Sequence, residues 1–449
     1  MNDKIMHQTE NNRLKDRGDL LKEEQIEDLI YADLDETTKK IFKQYMSQMY
    51  PDYWNGVLPQ MMKDFTAGKA KVDFGVFYNL DFMQHLSYPR KKSTDRIEIL
   101  SAGCGTGEAE LFLAINNPKA QITAVDLSEN SLKRAKGYAG ELKLKNISYF
   151  HENLMEMQLE KQFDIIISCG VIHHLSSPAK GLENLKKHLK PNGIMIIMVY
   201  GEYGRHEITL FQEAIKLIQK DQLDFIDGIK VVREFLSSLP VNSLFKSIQH
   251  KNNIDMGDNH IVDLLLNLNE NRYTVKTLND LVENQKLKII SFFPQNTYNP
   301  NAYTQSNFLS DKFEQLSYLG KAYLAELING HISKHGFICT HIENDFTMPS
   351  MKDKDADKYV PYIAPYIVET KKSDGYSLSI NPEQMGESPF ATNKVINLKQ
   401  LNYEIYKAVG GRRSFKDIYK QFKNQIQWEA YWELMKILVE YRLIYVHID

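Results

Sequence analysis

Cysteine is scarce in this chain and long apolar runs are missing. Three cysteines occur in 449 residues, Cys104, Cys169 and Cys339, and no two of them form a CxxC pair. That spacing offers neither a disulfide framework nor a thiolate metal site and suits a reducing compartment. No stretch approaches the roughly 20 apolar residues that a membrane span needs. The first residues, MNDKIMHQTENNRLKD, lack the apolar centre of a secretory signal, so the expected location is cytoplasmic. An excess of charge of one sign is also absent. A formal net charge of −3 and a pI near 6.5 argue against a chain built around nucleic acid. There is no HExxH, so no metal is expected. Internal repeats and low-complexity tracts are lacking too.

What is present begins with Ile99-Leu-Ser-Ala-Gly-Cys-Gly-Thr-Gly107 and continues with Ile122-Thr-Ala-Val-Asp126. An apolar strand runs into a loop with glycine at every second position, a helical pattern follows, and a second apolar strand ends on an acid. Glycines at that spacing let the backbone approach a ligand and leave N–H groups free at a helix N-terminus. Asp126 falls about 20 residues beyond the loop, where an acid can take both hydroxyls of a ribose. Its other possible use is as a plain helix N-cap. The third glycine comes one residue too early for the dinucleotide fingerprint, and Glu108 stands where that motif needs Gly or Ala. A nucleoside ligand fits better than NAD.

Around this loop the apolar pattern predicts an α/β fold: a doubly wound, mostly parallel sheet with helices on both faces. Strands are expected near 96–101, 121–126, 147–151, 163–168 and 193–200, and again at 287–293 and 336–341. Residues 1–34 read as a polar flexible segment and 35–95 as a helical cap. The core spans 96–345 with a helical lid insertion at 205–270, followed by a linker over 346–394. Residues 395–449 read as a small winged-helix-like domain. It holds nine Lys and Arg against six Asp and Glu, a modest excess that suits protein docking or domain packing better than DNA.

Several ordered motifs make residues 96–200 resemble the class I S-adenosylmethionine-dependent methyltransferases, with their Rossmann-like core. Ala102-Gly103-Cys104-Gly105-Thr106-Gly107 is similar to that family's first motif, and Ser101 stands where the family has an acid that contacts the cofactor's amino group. Val125-Asp-Leu-Ser128 resembles the second, which implies Asp126 on the ribose hydroxyls and Leu127 beside the adenine. His151-Glu-Asn-Leu154 falls where the family often has Gly-Asp, so Asn153 replaces that acid and Leu154 follows it. Phe163–Leu175 resembles the fourth-strand motif, whose end, at Cys169 and Gly170, lines the methionine part of the cofactor. Leu189-Lys-Pro-Asn-Gly-Ile194 is similar to the turn into strand five. Tyr200-Gly-Glu-Tyr-Gly-Arg205 and Asn271-Arg-Tyr-Thr-Val275 resemble segments of one bacterial branch. The C-terminal stretch is similar to the tail of bacterial protein lysine methyltransferases.

Methyl transfer from a sulfonium is an in-line displacement, so the protein must bind, align and, where needed, take a proton. His173 and His174 are the candidate bases, with at most one of them facing the cleft if they end a strand. Tyr203 is a further catalytic candidate. With Tyr45, Tyr50, Tyr53, Trp54 and Tyr200 it forms the expected aromatic wall for a cationic sulfur. The resemblance implies S-adenosylmethionine as cofactor and a protein, peptide or small-molecule methyl acceptor, the protein or peptide side chain being preferred. The alternatives are a metabolite or natural-product precursor as acceptor, and a non-catalytic regulator that senses the cofactor.

Overall fold

A computed structural model describes residues 34–47, 58–66, 97–219, 225–240, 242–246, 257–293, 295–344, 353–363, 367–380, 395–440 and 443–448. Two helices, α1 (Glu36–Ser47) and α2 (Leu58–Thr66), precede the first strand. The core then alternates β1 (Glu98–Ala102), α3 (Glu108–Asn116), β2 (Gln121–Asp126), α4 (Glu129–Glu141), β3 (Ile147–His151), β4 (Phe163–Cys169), α5 (Pro178–Lys187) and β5 (Leu189–Tyr200). The lid follows as α6 (His206–Gln219), α7 (Phe225–Ser238) and α8 (Asp258–Leu265). The chain returns through α9 (Val275–Asn284), β6 (Leu287–Phe293), α10 (Asn307–Phe313), α11 (Tyr318–Asn329) and β7 (Lys334–His341).

The seven strands form one sheet in the order β3-β2-β1-β4-β5-β7-β6, parallel except that β7 runs antiparallel to both its neighbours. Both faces are covered, which is why Ile194–Val199 can be apolar without interruption. Met195, Ile197 and Val199 pack on one face with Leu100, Phe292 and Phe337; Ile194 and Ile196 pack on the other with Ile99, Leu113 and Ile338. Strand order reverses between β1 and β4, and open α/β sheets bind ligands in the crevice at such a point.

Strand five starts earlier than its apolar run, at Leu189, because Phe163 still pairs with Leu189 across a register shift before Ile165 meets Ile194. A larger difference lies in the stretch read as a linker. β8 (Tyr359–Ile363), β9 (Ile367–Lys372) and β10 (Gly375–Ile380) occupy it and pair with the C-terminal segment. β10 sits between β9 and β11 (Ile396–Lys399), and β8 pairs with β12 (Ile444–Ile448). Three helices, α12 (Gln400–Lys407), α13 (Phe415–Phe422) and α14 (Trp428–Glu440), complete the module. Its core joins Tyr359 and Leu378 to Tyr406, Phe415, Tyr431 and Met435. The charged stretch that reads as a linker ends in a 3₁₀ turn at Asp353–Asp355, and the strands begin directly after it at Tyr359. Among the described residues no helix is long and apolar enough to cross a membrane.

Candidate active site

The turn after β1 is built by backbone. The amides of Gly103 and Cys104 both donate to Val125 O, at 2.8 and 3.0 Å, which folds the loop over the end of β2. Gly103, Gly105 and Gly107 have φ of +83°, +53° and +90°, in the left-handed region that other residues enter at a cost. A Cβ on Gly107 would stand 2.6 Å from the Ala135 Cβ in α4, so the third glycine also lets two helices approach.

Asp126 closes the other side. Its Oδ2 accepts Gly105 N–H at 2.7 Å and its Oδ1 accepts Ser128 N–H at 2.8 Å. The N-cap of α4 is Ser128, whose hydroxyl accepts Ser131 N–H, so Asp126 is free of the capping role. Each carboxylate oxygen keeps a lone pair, arranged for a pair of vicinal hydroxyls. Burial pushes this carboxyl up, while the N–H groups of Ser128 and Gly105 hold it back.

These groups face a cleft of about 280 Å³. Of the residues expected to hold a cofactor, Gly103, Cys104, Gly105, Asp126, Leu127, Asn153, Leu154, Cys169 and Gly170 line it. Ala102 lies beneath the loop, where its carbonyl accepts Ser168 Oγ–H at 3.0 Å, and Gly107 shapes the turn from behind. Asn153 Oδ1 accepts Met155 N–H at 3.1 Å in its own turn, which leaves the amide N–H₂ as its free function. Burial pushes the Cys169 thiol up to about 12 and raises that of Cys104, so neither is poised as a thiolate.

The two histidines sit in a 3₁₀ turn, Ile172–His174, rather than at the end of a strand. Only His174 lines the cleft. Its Nδ1–H donates to Asn269 O at 2.8 Å, so Nε2 carries the lone pair of the neutral ring. His173 is fully buried, its ring tilted against Tyr200 with centroids 3.9 Å apart, and neither ring nitrogen has a partner among the described residues. Burial holds it well below the usual histidine range, so it is a packed neutral ring. Tyr203 does not reach the cleft; a hydrogen bond with Tyr323 raises its phenol to about 12. Of the expected aromatic wall, Tyr45 and Tyr200 line the cleft, whereas Tyr50, Tyr53 and Trp54 lie outside the described residues.

A family model described as a methyltransferase domain matches residues 100–195, from the end of β1 into β5. The chain carries a class I S-adenosylmethionine-dependent methyltransferase domain. Its fold is similar to that of PKMT2 from Rickettsia typhi, with a TM-score of 0.59 over 84% of this chain and 77% of that one, at 14% identity. A structure of the same protein in complex with AdoHcy aligns over the same share of this chain, at a TM-score of 0.59 and 13% identity. Among sequences, an uncharacterized protein of Synechococcus sp. is 34% identical over 55% of this chain and 61% of its own length. Malonyl-[acyl-carrier protein] O-methyltransferase of Bacillus anthracis is 29% identical over 38% of this chain and 59% of its own. The chain thus spans about three-fifths of the length of these relatives.

In this methyltransferase domain the cleft runs on past the end of β4 to groups from β5, β7 and the lid. Met198 and Tyr200 come from β5, and Lys334, paired with Tyr200 in the sheet, from β7. At about 4.8 Å per strand, Lys334 on β7 stands two strands, roughly 10 Å, beyond β4. The lid adds Asp263, 4% exposed, whose Oδ1 accepts the Tyr45 O–H at 3.2 Å. Desolvation pulls the Lys334 ammonium down, with Arg205 adding to it and Asp263 opposing. Burial pushes the Asp263 carboxyl up. Sequence reasoning missed Glu110, Asp263 and Lys334. The signal for the first two was there: each is a lone acid inside an apolar helical run, Glu110 in Ala109–Ala114 and Asp263 in Ile261–Leu268.

The bacterial-branch segments also meet. Glu202 N–H donates to Tyr273 O at 2.8 Å and Tyr273 N–H to Tyr200 O at 3.0 Å, so the lid leaves and returns at one point. Beside it Arg205 is clamped to Glu270 through Nε at 2.9 Å and Nη2 at 2.6 Å, with its Cζ 3.6 Å from the Tyr200 ring centre.

Proposed function

We propose that the chain transfers a methyl group from S-adenosylmethionine to an amine on a protein or peptide side chain. The observation that carries this reading is the second module. Residues 353–448 build a core of their own beyond the methyltransferase sheet, an addition that a small acceptor does not require. The likeness to PKMT2 over 84% of the chain supports it. In this reading Asp126 takes the ribose hydroxyls, Leu127, Asn153 and Leu154 flank the adenine, and the loop from Gly103 to Gly105 with Cys169 and Gly170 holds the methionine part.

The acceptor enters between α1 and the lid. Asp263, held by Tyr45, draws the cationic amine in, and Lys334 opposite it favours the neutral form, since a like charge lowers an amine's pKa. The nitrogen lone pair then attacks the methyl carbon as the carbon–sulfur bond breaks and its electron pair returns to sulfur. The lone pair is available for that attack because His174 Nε2 or Asp263 has first taken the ammonium proton. A second reading rests on Lys334 itself, whose charge would equally anchor a carboxylate on a small acceptor, and the malonyl relative favours that alternative.

Transfer of labelled methyl groups into fractionated lysate of the source cells tests the choice. Label in a protease-sensitive fraction that survives mild base and is recovered as a methylated amino acid is the expected result. Label in the small-molecule filtrate, or released as methanol by base, would overturn it. Lys334→Ala should lower turnover about tenfold or more while cofactor affinity stays within about twofold. Equal losses in cofactor affinity by calorimetry would place Lys334 on the cofactor instead.

A further inference from the structure

Glu110 is a buried acid with no cation beside it among the described residues. It lies in the first turn of α3, is 1% exposed, and lines the cleft beside Ser101. Its Oε1 accepts the Ser101 hydroxyl, and its Oε2 is buried with no hydrogen-bond partner among the described residues. The titratable groups whose fields reach it are Asp126 from β2, Cys104 from the glycine loop, Tyr149 from β3 and Cys169 from β4. None of them is a cation. A buried acid with an open lone pair costs stability unless a partner arrives.

The position explains the partner. Ser101 lies one residue before the end of β1, where the resembled family carries an acid, and its hydroxyl donates to Glu110. The carboxylate has been moved from the strand to the helix, nine residues along the chain, while staying at the same corner of the cleft. We propose that Glu110 binds the α-ammonium of the cofactor's methionyl group, in place of the acid missing at Ser101. This rests on the cofactor reading above. Without a ligand, burial pushes the Glu110 carboxyl up to about 7, against the pull of the Ser101 hydroxyl. A bound ammonium favours the charged form, so ligand binding should drive a proton off. Affinity then rises with pH up to about 7 and levels off above it.

Two ligands separate this role from a structural one. S-adenosylhomocysteine carries the ammonium, whereas 5′-methylthioadenosine shares the nucleoside and lacks the amino-acid part. Glu110→Gln should weaken the first by about 10- to 100-fold, the worth of a charge-assisted hydrogen bond, and the second by less than about threefold. Ser101→Asp combined with Glu110→Ala should restore affinity for the first to within about threefold of the parent. Calorimetry of the parent at pH 7 in buffers of different ionisation enthalpy should show proton release with the first ligand only. Equal loss on both ligands, or on neither, would overturn the assignment, as would release of no proton. If the parent bound neither ligand, the cofactor reading itself would fall, and this inference with it.

Discussion

Asp126→Ala will lose roughly a hundredfold in cofactor affinity while the sheet stays folded. Two hydroxyl hydrogen bonds to one buried carboxylate are worth about 1.5 kcal/mol or more each, and about 3 kcal/mol in all is two decades in Kd. A second loss adds to it. Gly105 N–H, now held at 2.7 Å by Oδ2, would point into a cleft without an acceptor, and the loop would lose its tie to β2. Asp126→Asn should fall between parent and alanine variant, because one carbonyl oxygen remains while an N–H₂ group meets an N–H donor. The fold survives because the strand register of β2 with β1 and β3 does not involve this side chain. Calorimetric titration with S-adenosylhomocysteine, beside a circular dichroism spectrum, measures both halves. An alanine variant that binds as tightly as the parent would remove Asp126 from the site.

Glu270→Ala is expected to destabilise the protein by about 3–5 kcal/mol, the usual effect of stranding one partner of a buried ion pair. Arg205 and Glu270 side chains are each 3% exposed. The guanidinium lies over Tyr200, and Gln212 Nε2–H reaches Glu270 Oε2 at 3.4 Å, so the pair joins β5 to the lid. Without Glu270 a cation stays buried near Lys334, which already feels its field. Glu270→Gln keeps hydrogen bonding and should cost less. Arg205→Met with Glu270→Leu should recover most of the loss, since apolar residues of similar size replace a buried pair at little cost. Thermal unfolding with hydrogen exchange of residues 206–265 reads the effect, and a Glu270→Ala variant that melts with the parent would sink the claim.

Much of the sheet was legible because its signals are local. Apolar runs bounded by turns located β1 to β7, and the start of α9 is equally local, set by a reciprocal cap between Thr274 and Thr277. The glycine spacing and the acid at the end of β2 marked one wall of the cleft for the same reason. The histidine pair was read from a strand geometry that the chain abandons at Gly170, φ +78°, so alternation could not say which ring faces inward. Strands β8 to β10 were missed because antiparallel strands of five or six residues carry little periodic signal of their own, and Pro361 interrupts the first of them. They become strands by pairing with partners far along the chain.

By itself the sequence determined the strand-loop-helix unit, the glycine loop and acid that line the cleft, and the class of chemistry, all set by residues close together in the chain. Only the tertiary structure decided which charged groups share the cleft. Glu110 meets Ser101, Tyr45 meets Asp263 across 218 positions, and Lys334 reaches the cleft through an antiparallel strand that returns beside Tyr200. Such juxtapositions depend on how elements pack, and no local pattern encodes them.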